Sequence, residues 1–239
     1  MASNMSTDLD QSAKQCAAAQ DAIVLTLLAA IEEPVGGDPG HVLRVRHFAQ
    51  MIAEQLRREG IYRDSMSDDF LANLYRSSPL HDVGKIGIER SILGKPGPLT
   101  APEFEAVKEH VTIGSRLLKT AAEVSGGSSF LSMAADVALY HHERFDGTGY
   151  RAGLHGEAIP LAARIVALAD AYDALTSSRV YKPAISSASA KARIESESGR
   201  HFDPVIVQAF CAVYPKFVVS PRHVSIPVLG ALTSGMIDG

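Results

Sequence analysis

Apolar positions recur at helical spacing in one segment after another. No stretch alternates apolar and polar residues for long enough to predict a strand. Gln11 to Glu33, rich in Ala, Leu and Ile, reads as a helix that Pro34-Val-Gly-Gly-Asp-Pro-Gly40 breaks. His41 to Arg58 resumes the period, with His41, Val45, Phe48 and Ile52 on one stripe. Asp68 to Asp82 predicts a third helix, its Leu71, Leu74 and Tyr75 facing inward and its end bent by Pro79. A loop over Gly84 to Pro98 follows. Thr100 and Glu103 then form a capping-box start for a helix carrying Phe104, Val107, His110 and Val111, with a bend at Gly114. Ser129 to His142 predicts another helix, with Val137 one turn before His141 and Ala138 one turn before His142. After the turn-rich Asp146-Gly-Thr-Gly-Tyr150, Ile159 to Leu175 predicts an apolar helix bearing Asp170 and Asp173. Asp203-Pro204 looks like an N-cap and first-turn proline opening a last helix.

The expected fold is therefore all-α, a helical bundle with an N-terminal linker helix. The expected organisation is a flexible N-terminus and linker over residues 1–36, the bundle over 37–217 and an irregular tail over 218–239. A chain of 239 residues, 46% hydrophobic and 21% charged, is long enough for a sizeable core. A formal net charge of −4 argues against a protein coated in positive charge for DNA or an anionic membrane. Cys16 and Cys211 form no CxxC pair, and no apolar run is long enough to span a bilayer, so a reducing cytoplasm is the expected setting. With no Trp and few aromatics, a stacking platform for single-stranded nucleic acid is disfavoured.

The chemistry lies in His41, His81, Asp82, His110, His141, His142 and Asp170. Each falls within or at the end of an apolar helical pattern, so its side chain should point into the bundle. A lone helical histidine is more often an ordinary hydrogen-bonded residue. Five histidines and two aspartates buried together, however, cannot satisfy one another, because unpaired buried charge costs several kcal/mol. A hydrolytic metal cluster of imidazole and carboxylate ligands is the economical account. His47, His155, His201 and His223 are left to surface or local hydrogen bonding.

His41-Val-Leu-Arg-Val45, His81-Asp-Val-Gly-Lys85, His110, His141-His-Glu-Arg-Phe-Asp-Gly-Thr-Gly-Tyr150 and Ala169-Asp-Ala-Tyr-Asp-Ala-Leu-Thr-Ser177 resemble the HD-GYP family in order and spacing. Ser91-Ile-Leu-Gly-Lys-Pro-Gly97 and His201-Phe-Asp-Pro204 extend the likeness, which covers about residues 37–213. The resemblance implies an HD-type bundle that hydrolyses cyclic di-GMP to the linear dinucleotide pGpG, slowly on to GMP if at all, through a hydroxide bridging two metals. It implies that His41, His81, Asp82 and Asp170 hold one metal, and that Asp82 is shared with a second held by His110, His141 and His142. The two divalent ions are expected to be iron or manganese. By the same likeness Lys85 polarises the phosphate or assists the leaving group, while Arg179 and Lys182 contact substrate phosphates. Gly149 and Tyr150 belong to the signature loop, which could also receive a regulatory protein. The N-terminal helix could support a homodimer. A catalytically weak cyclic-dinucleotide receptor and another HD-type nucleotide phosphohydrolase are the alternatives.

Two positions depart from the family. Arg151 stands where the family has proline after Gly-Tyr. Gly37 stands where some members carry a glutamate that helps to hold a third metal, so two metals per chain and accumulation of the linear product are expected.

Overall fold

A computed structural model describes residues 15, 19, 21–29, 31, 38, 40–178 and 183–219. Within them the chain forms α1 (His41–Arg58), α2 (Asp68–Ser77), the short α3 (Arg90–Leu93), α4 (Ala101–Val124), α5 (Ser129–Tyr140), α6 (Leu161–Thr176), α7 (Ser187–Ser196) and α8 (Pro204–Val219). Short 3-10 turns lie at Ser78–Leu80, Val83–Gly87 and Gly156–Ala158. Among the described residues the only β pairing is an isolated bridge between Ser198 and Phe202, as an all-α fold requires. No helix among them is long and apolar enough to cross a membrane.

The predicted stripe of α1 forms the core. Val45, Phe48, Ile52 and Leu56 are buried against Ile165, Leu168 and Tyr172 of α6 and Ile206, Phe210 and Phe217 of α8. Phe48 stacks on Phe217 with ring centroids 4.4 Å apart, and Tyr172 meets Phe48 edge-on at 5.2 Å. Each fully buried side chain of this size contributes about 1.5–3 kcal/mol, so the stripe accounts for much of the cohesion between α1, α6 and α8. A second cluster joins Val42, Leu80, Leu118, Ala134 and Ala138 to Leu28 of the helical residues 21–29. The segment expected to be a linker thus packs one face on the bundle and exposes Ile23 and Leu27.

The capping box at Thr100 is present in both directions. Thr100 Oγ1 accepts from Glu103 N, and Glu103 accepts from Thr100 N at 2.7 Å. Asp203 caps α8 by accepting from Val205 N at 2.8 Å.

Several expectations need correction. The loop over Gly84 to Pro98 holds a 3-10 turn and α3. α2 ends at Ser77 and passes into a 3-10 turn before His81, where Pro79 lacks the N–H that an α-helix would use. α8 runs to Val219, so the boundary at 218 falls in its last turn. Gly114 lies inside an unbroken α4. Tyr75, expected inward, is 40% exposed, and Phe104 on α4 is 47% exposed. The first is covered on one face by Arg46, whose guanidinium carbon lies 4.3 Å from the ring centroid. Sequence reading did not predict α7, because its buried residues are only Ala190 and Ile194.

Candidate metal centre

Five elements deliver the candidate ligands to one place. His41 is the first residue of α1, His81 and Asp82 lie between two 3-10 turns, and His110 sits inside α4. His141 and His142 fall just beyond the end of α5 rather than within it, and Asp170 lies on α6. Their ligand atoms form two groups, His41 with His81 and Asp82, and Asp82 with His110, His141 and His142, each within 4.8 Å.

Asp82 belongs to both groups. Its Oδ1 lies 3.2 Å from His110 Nε2 and 3.7 Å from His141 Nε2. Its Oδ2 lies 3.4 Å from His81 Nε2 and 2.6 Å from Lys85 Nζ. Asp170 lies outside both groups but beside the first, with Oδ1 3.4 Å from His41 Nε2 and 4.0 Å from His81 Nε2.

Four histidines are oriented from behind. The Nδ1 atoms of His81, His110 and His141 lie 2.9, 2.7 and 3.0 Å from the carbonyls of Ser78, Val107 and Val137, respectively. His41 Nδ1 lies 2.7 Å from Asp173 Oδ2. Donation of Nδ1–H to these acceptors turns each Nε2 toward the centre, the arrangement common behind metal-bound imidazoles. Asp173 is held in turn by Arg44, whose Nε reaches Oδ1 at 2.5 Å and whose Nη2 reaches Asp38 at 2.7 Å. Sequence reasoning placed Asp173 on the right helix without giving it this role, and it missed Arg44. The signal was present in the three-residue spacing of Asp170 and Asp173, which puts both on one helical face.

Electrostatics and unsatisfied atoms both fit a cation. Burial would keep His81 neutral, but Asp82 and Asp170 raise its pKa to about 9. Burial also opposes ionisation of Asp82, yet Lys85 and His81 hold that carboxyl well below the usual range. Burial and the neighbouring His81 push His141 down to about 3. Burial and His141 lower His142 in the same way. The carboxylates draw positive charge to the centre while two imidazoles are kept neutral, as metal ligation requires. Nε2 of His110 and of His141 are buried without a hydrogen-bond partner, and Nε2 of His41 and of His81 face each other at 3.3 Å. Orphaned imidazole nitrogens converging on carboxylates are a donor set for a divalent metal ion.

Close backbone contacts set the spacing. A Cβ on Gly84 would overlap the carbonyl oxygen of His110 and lie 2.5 Å from Gly114 N, so glycine lets the Val83–Gly87 turn press on α4 beside its ligand. A Cβ on Gly149 would lie 2.5 Å from Glu143 Cα, so the signature loop folds directly onto the chain after His142. Glu143, 2% exposed, accepts from the backbone N–H of Ala152 and Gly153 at 2.7 and 3.2 Å. This loop support was also missed in the sequence. The Tyr150 ring stacks on His142. Arg151 has φ +106°, a backbone that proline, locked near about −65°, cannot adopt. Its guanidinium instead pairs with Glu109, beside His110 on α4. The His201-Phe-Asp-Pro204 segment clasps the other side of the loop, where the carbonyls of His201 and Arg200 accept from Phe145 N and Asp146 N at 3.1 and 2.8 Å. Arg179, Lys182 and Gly37 lie outside the described residues.

The HD-domain family model matches residues 40–206. A cyclic di-GMP phosphodiesterase of Vibrio cholerae is 45% identical over 93% of this chain and 45% of its own length. The cyclic di-GMP phosphodiesterase response regulator RpfG of Xanthomonas campestris is 45% identical over 77% of this chain and 45% of its own length. The chain thus spans about half the length of the curated relatives it matches. A crystal structure of a cyclic GMP-AMP specific phosphodiesterase of V. cholerae matches with a TM-score of 0.61 at 20% identity, over 89% of this chain and 53% of the other, a likeness of fold. The chain belongs to the HD-domain family, in the HD-GYP branch whose motifs it carries.

Proposed function

We propose that this chain is a two-metal phosphodiesterase that opens cyclic di-GMP to linear pGpG. The observation that carries the reading is the division of Asp82, with Oδ1 facing His110 and His141 and Oδ2 facing His81 and Lys85. A shared carboxylate suits metals roughly 3.5–4 Å apart, as in two-metal hydrolases. His41, His81, Asp82 and Asp170 would hold one ion, and Asp82, His110, His141 and His142 the other. Iron or manganese suits these ligands. Bound, the ions would supply Lewis acidity to the phosphate and lower the pKa of water toward neutrality.

The chain's own groups supply the rest. Hydrolysis adds water across one P–O3′ bond, leaving a 5′-phosphate on one ribose and a 3′-hydroxyl on the other. Lys85 Nζ, on a partly exposed side chain 2.6 Å from Asp82, is the cation and proton donor closest to that carboxylate. It would neutralise a phosphate oxygen or protonate the departing O3′. Asp173 and the three backbone carbonyls keep Nε2 of four histidines on the centre. Tyr150 stacks on one face of the His142 ring.

The name shared by the two 45% identical relatives supports cyclic di-GMP as the substrate. The test is chromatography of products from cyclic di-GMP and cyclic GMP-AMP, using protein loaded anaerobically with iron or with manganese. Accumulation of pGpG is expected. Tight binding of cyclic di-GMP without any linear product would instead support the receptor alternative.

A further inference from the structure

A run of side chains leads outward from His142. The Tyr150 ring lies on the His142 ring with centroids 4.9 Å apart and planes at 27°. Lys108 Nζ stands 5.3 Å from the Tyr150 centroid and 4.8 Å from the centroid of Phe104, one turn earlier on α4. The ammonium therefore lies near two aromatic faces, an attractive placement for a cation. Lys108 also pairs with Glu105 at 2.6 Å, an exposed acid whose hold is weak in water. Arg151 binds the loop to the same stretch of helix, through Glu109 and through the Lys108 carbonyl at 3.4 Å. A single exposed phenylalanine is ordinary on a protein surface. Phe104 differs in being joined to the metal centre through a cation and a second ring.

We propose that Phe104 and Lys108 form a substrate subsite, in which the Phe104 ring stacks a purine base and the Lys108 ammonium meets the phosphate that is not being cleaved. The inference rests on the cyclic-dinucleotide reading above. Such a ligand carries two phosphates and two purine faces. With one phosphate at Asp82, the rest of the ring must lie on neighbouring surface. A base stacks on any aromatic face, and a lysine serves a phosphate as a point charge.

The test is steady-state kinetics of the metal-loaded full chain on cyclic di-GMP, with equilibrium binding of GMP and of ribose 5-phosphate as a second readout. Phe104→Ala should raise KM about tenfold and reduce the preference for GMP over ribose 5-phosphate. Lys108→Met should raise KM by weakening both ligands, whereas Phe104→Tyr and Lys108→Arg should restore most of the affinity. Leu117→Ala, at another exposed apolar side chain of α4, should leave KM where it was. An unchanged KM and an unchanged GMP preference in Phe104→Ala would overturn the subsite while leaving the proposed function standing. Failure of the unaltered chain to bind or turn over cyclic di-GMP would overturn the proposed function, and this inference with it.

Discussion

Oδ2 of Asp173 lies 2.7 Å from Nδ1 of His41, and this contact decides which nitrogen of His41 faces the centre. Arg44 fixes the carboxylate from the far side. Although burial opposes it, His41 and Arg44 keep Asp173 ionised below the ordinary carboxylate range. Asp173→Asn should lower affinity for the metal held through His41 by about 10–100-fold, the usual loss when the partner behind a ligand is changed. Competition with a metal chelator measures it, and unchanged affinity would reduce Asp173 to a packing residue.

Lys85 offers a different signature. Because it touches Asp82 without belonging to the imidazole and carboxylate donor set, Lys85→Ala should retain the bound metal and lose turnover by about 10²-fold or more. Parallel metal analysis and rate measurement separate the two effects. An unaltered rate would return Lys85 to the role of a partly exposed countercharge.

Gly84 tests the backbone contact that brings Asp82 to His110. In Gly84→Ala the added carbon meets backbone of α4, which cannot rotate away as a side chain could. A loss of about 1–3 kcal/mol in urea unfolding is expected from the overlap, together with weaker binding of the metal that uses His110. Full stability and full metal affinity in this variant would show that the turn can move aside.

His201 carries a pH dependence. Burial and the charge of Arg144 lower its pKa from 6.5 to about 4. A histidine kept neutral in the fold has its stabilising effect fully present above the unfolded value. The effect is lost as pH falls from 6.5 toward 4, because only the unfolded chain takes up the proton in that window. Urea midpoints of metal-free protein across this range should therefore fall less steeply in His201→Gln than in the unaltered chain. Parallel curves would mean that His201 titrates alike in both states.

Much of this was legible in the sequence because helical period and motif spacing are local. The stripe Val45, Phe48 and Ile52 fixed the face of α1, and the capping box fixed the start of α4. Six of the seven candidate ligands lie in the two groups that share Asp82, and Asp170 stands 3.4 Å from His41. What was not legible depended on tertiary geometry. Asp173 and Arg44 sit 129 residues apart, so no local pattern pairs them. Glu143 acts on backbone N–H groups, which leave no trace in residue type. Phe104 fits the helical period yet stays half exposed, because period predicts a shared face and not what covers it. The positive φ at Arg151 is likewise set by the loop as a whole.

The measurement that bears most directly on the shared-carboxylate centre is metal content per chain in the unaltered protein and in Asp82→Ala, reconstituted side by side with iron or manganese under anaerobic conditions. Asp82 contacts both histidine sets, so two equivalents are predicted in the unaltered chain, with loss at both half-sites and no hydrolysis of cyclic di-GMP in the variant. Two retained equivalents and near-normal turnover in Asp82→Ala would contradict the account.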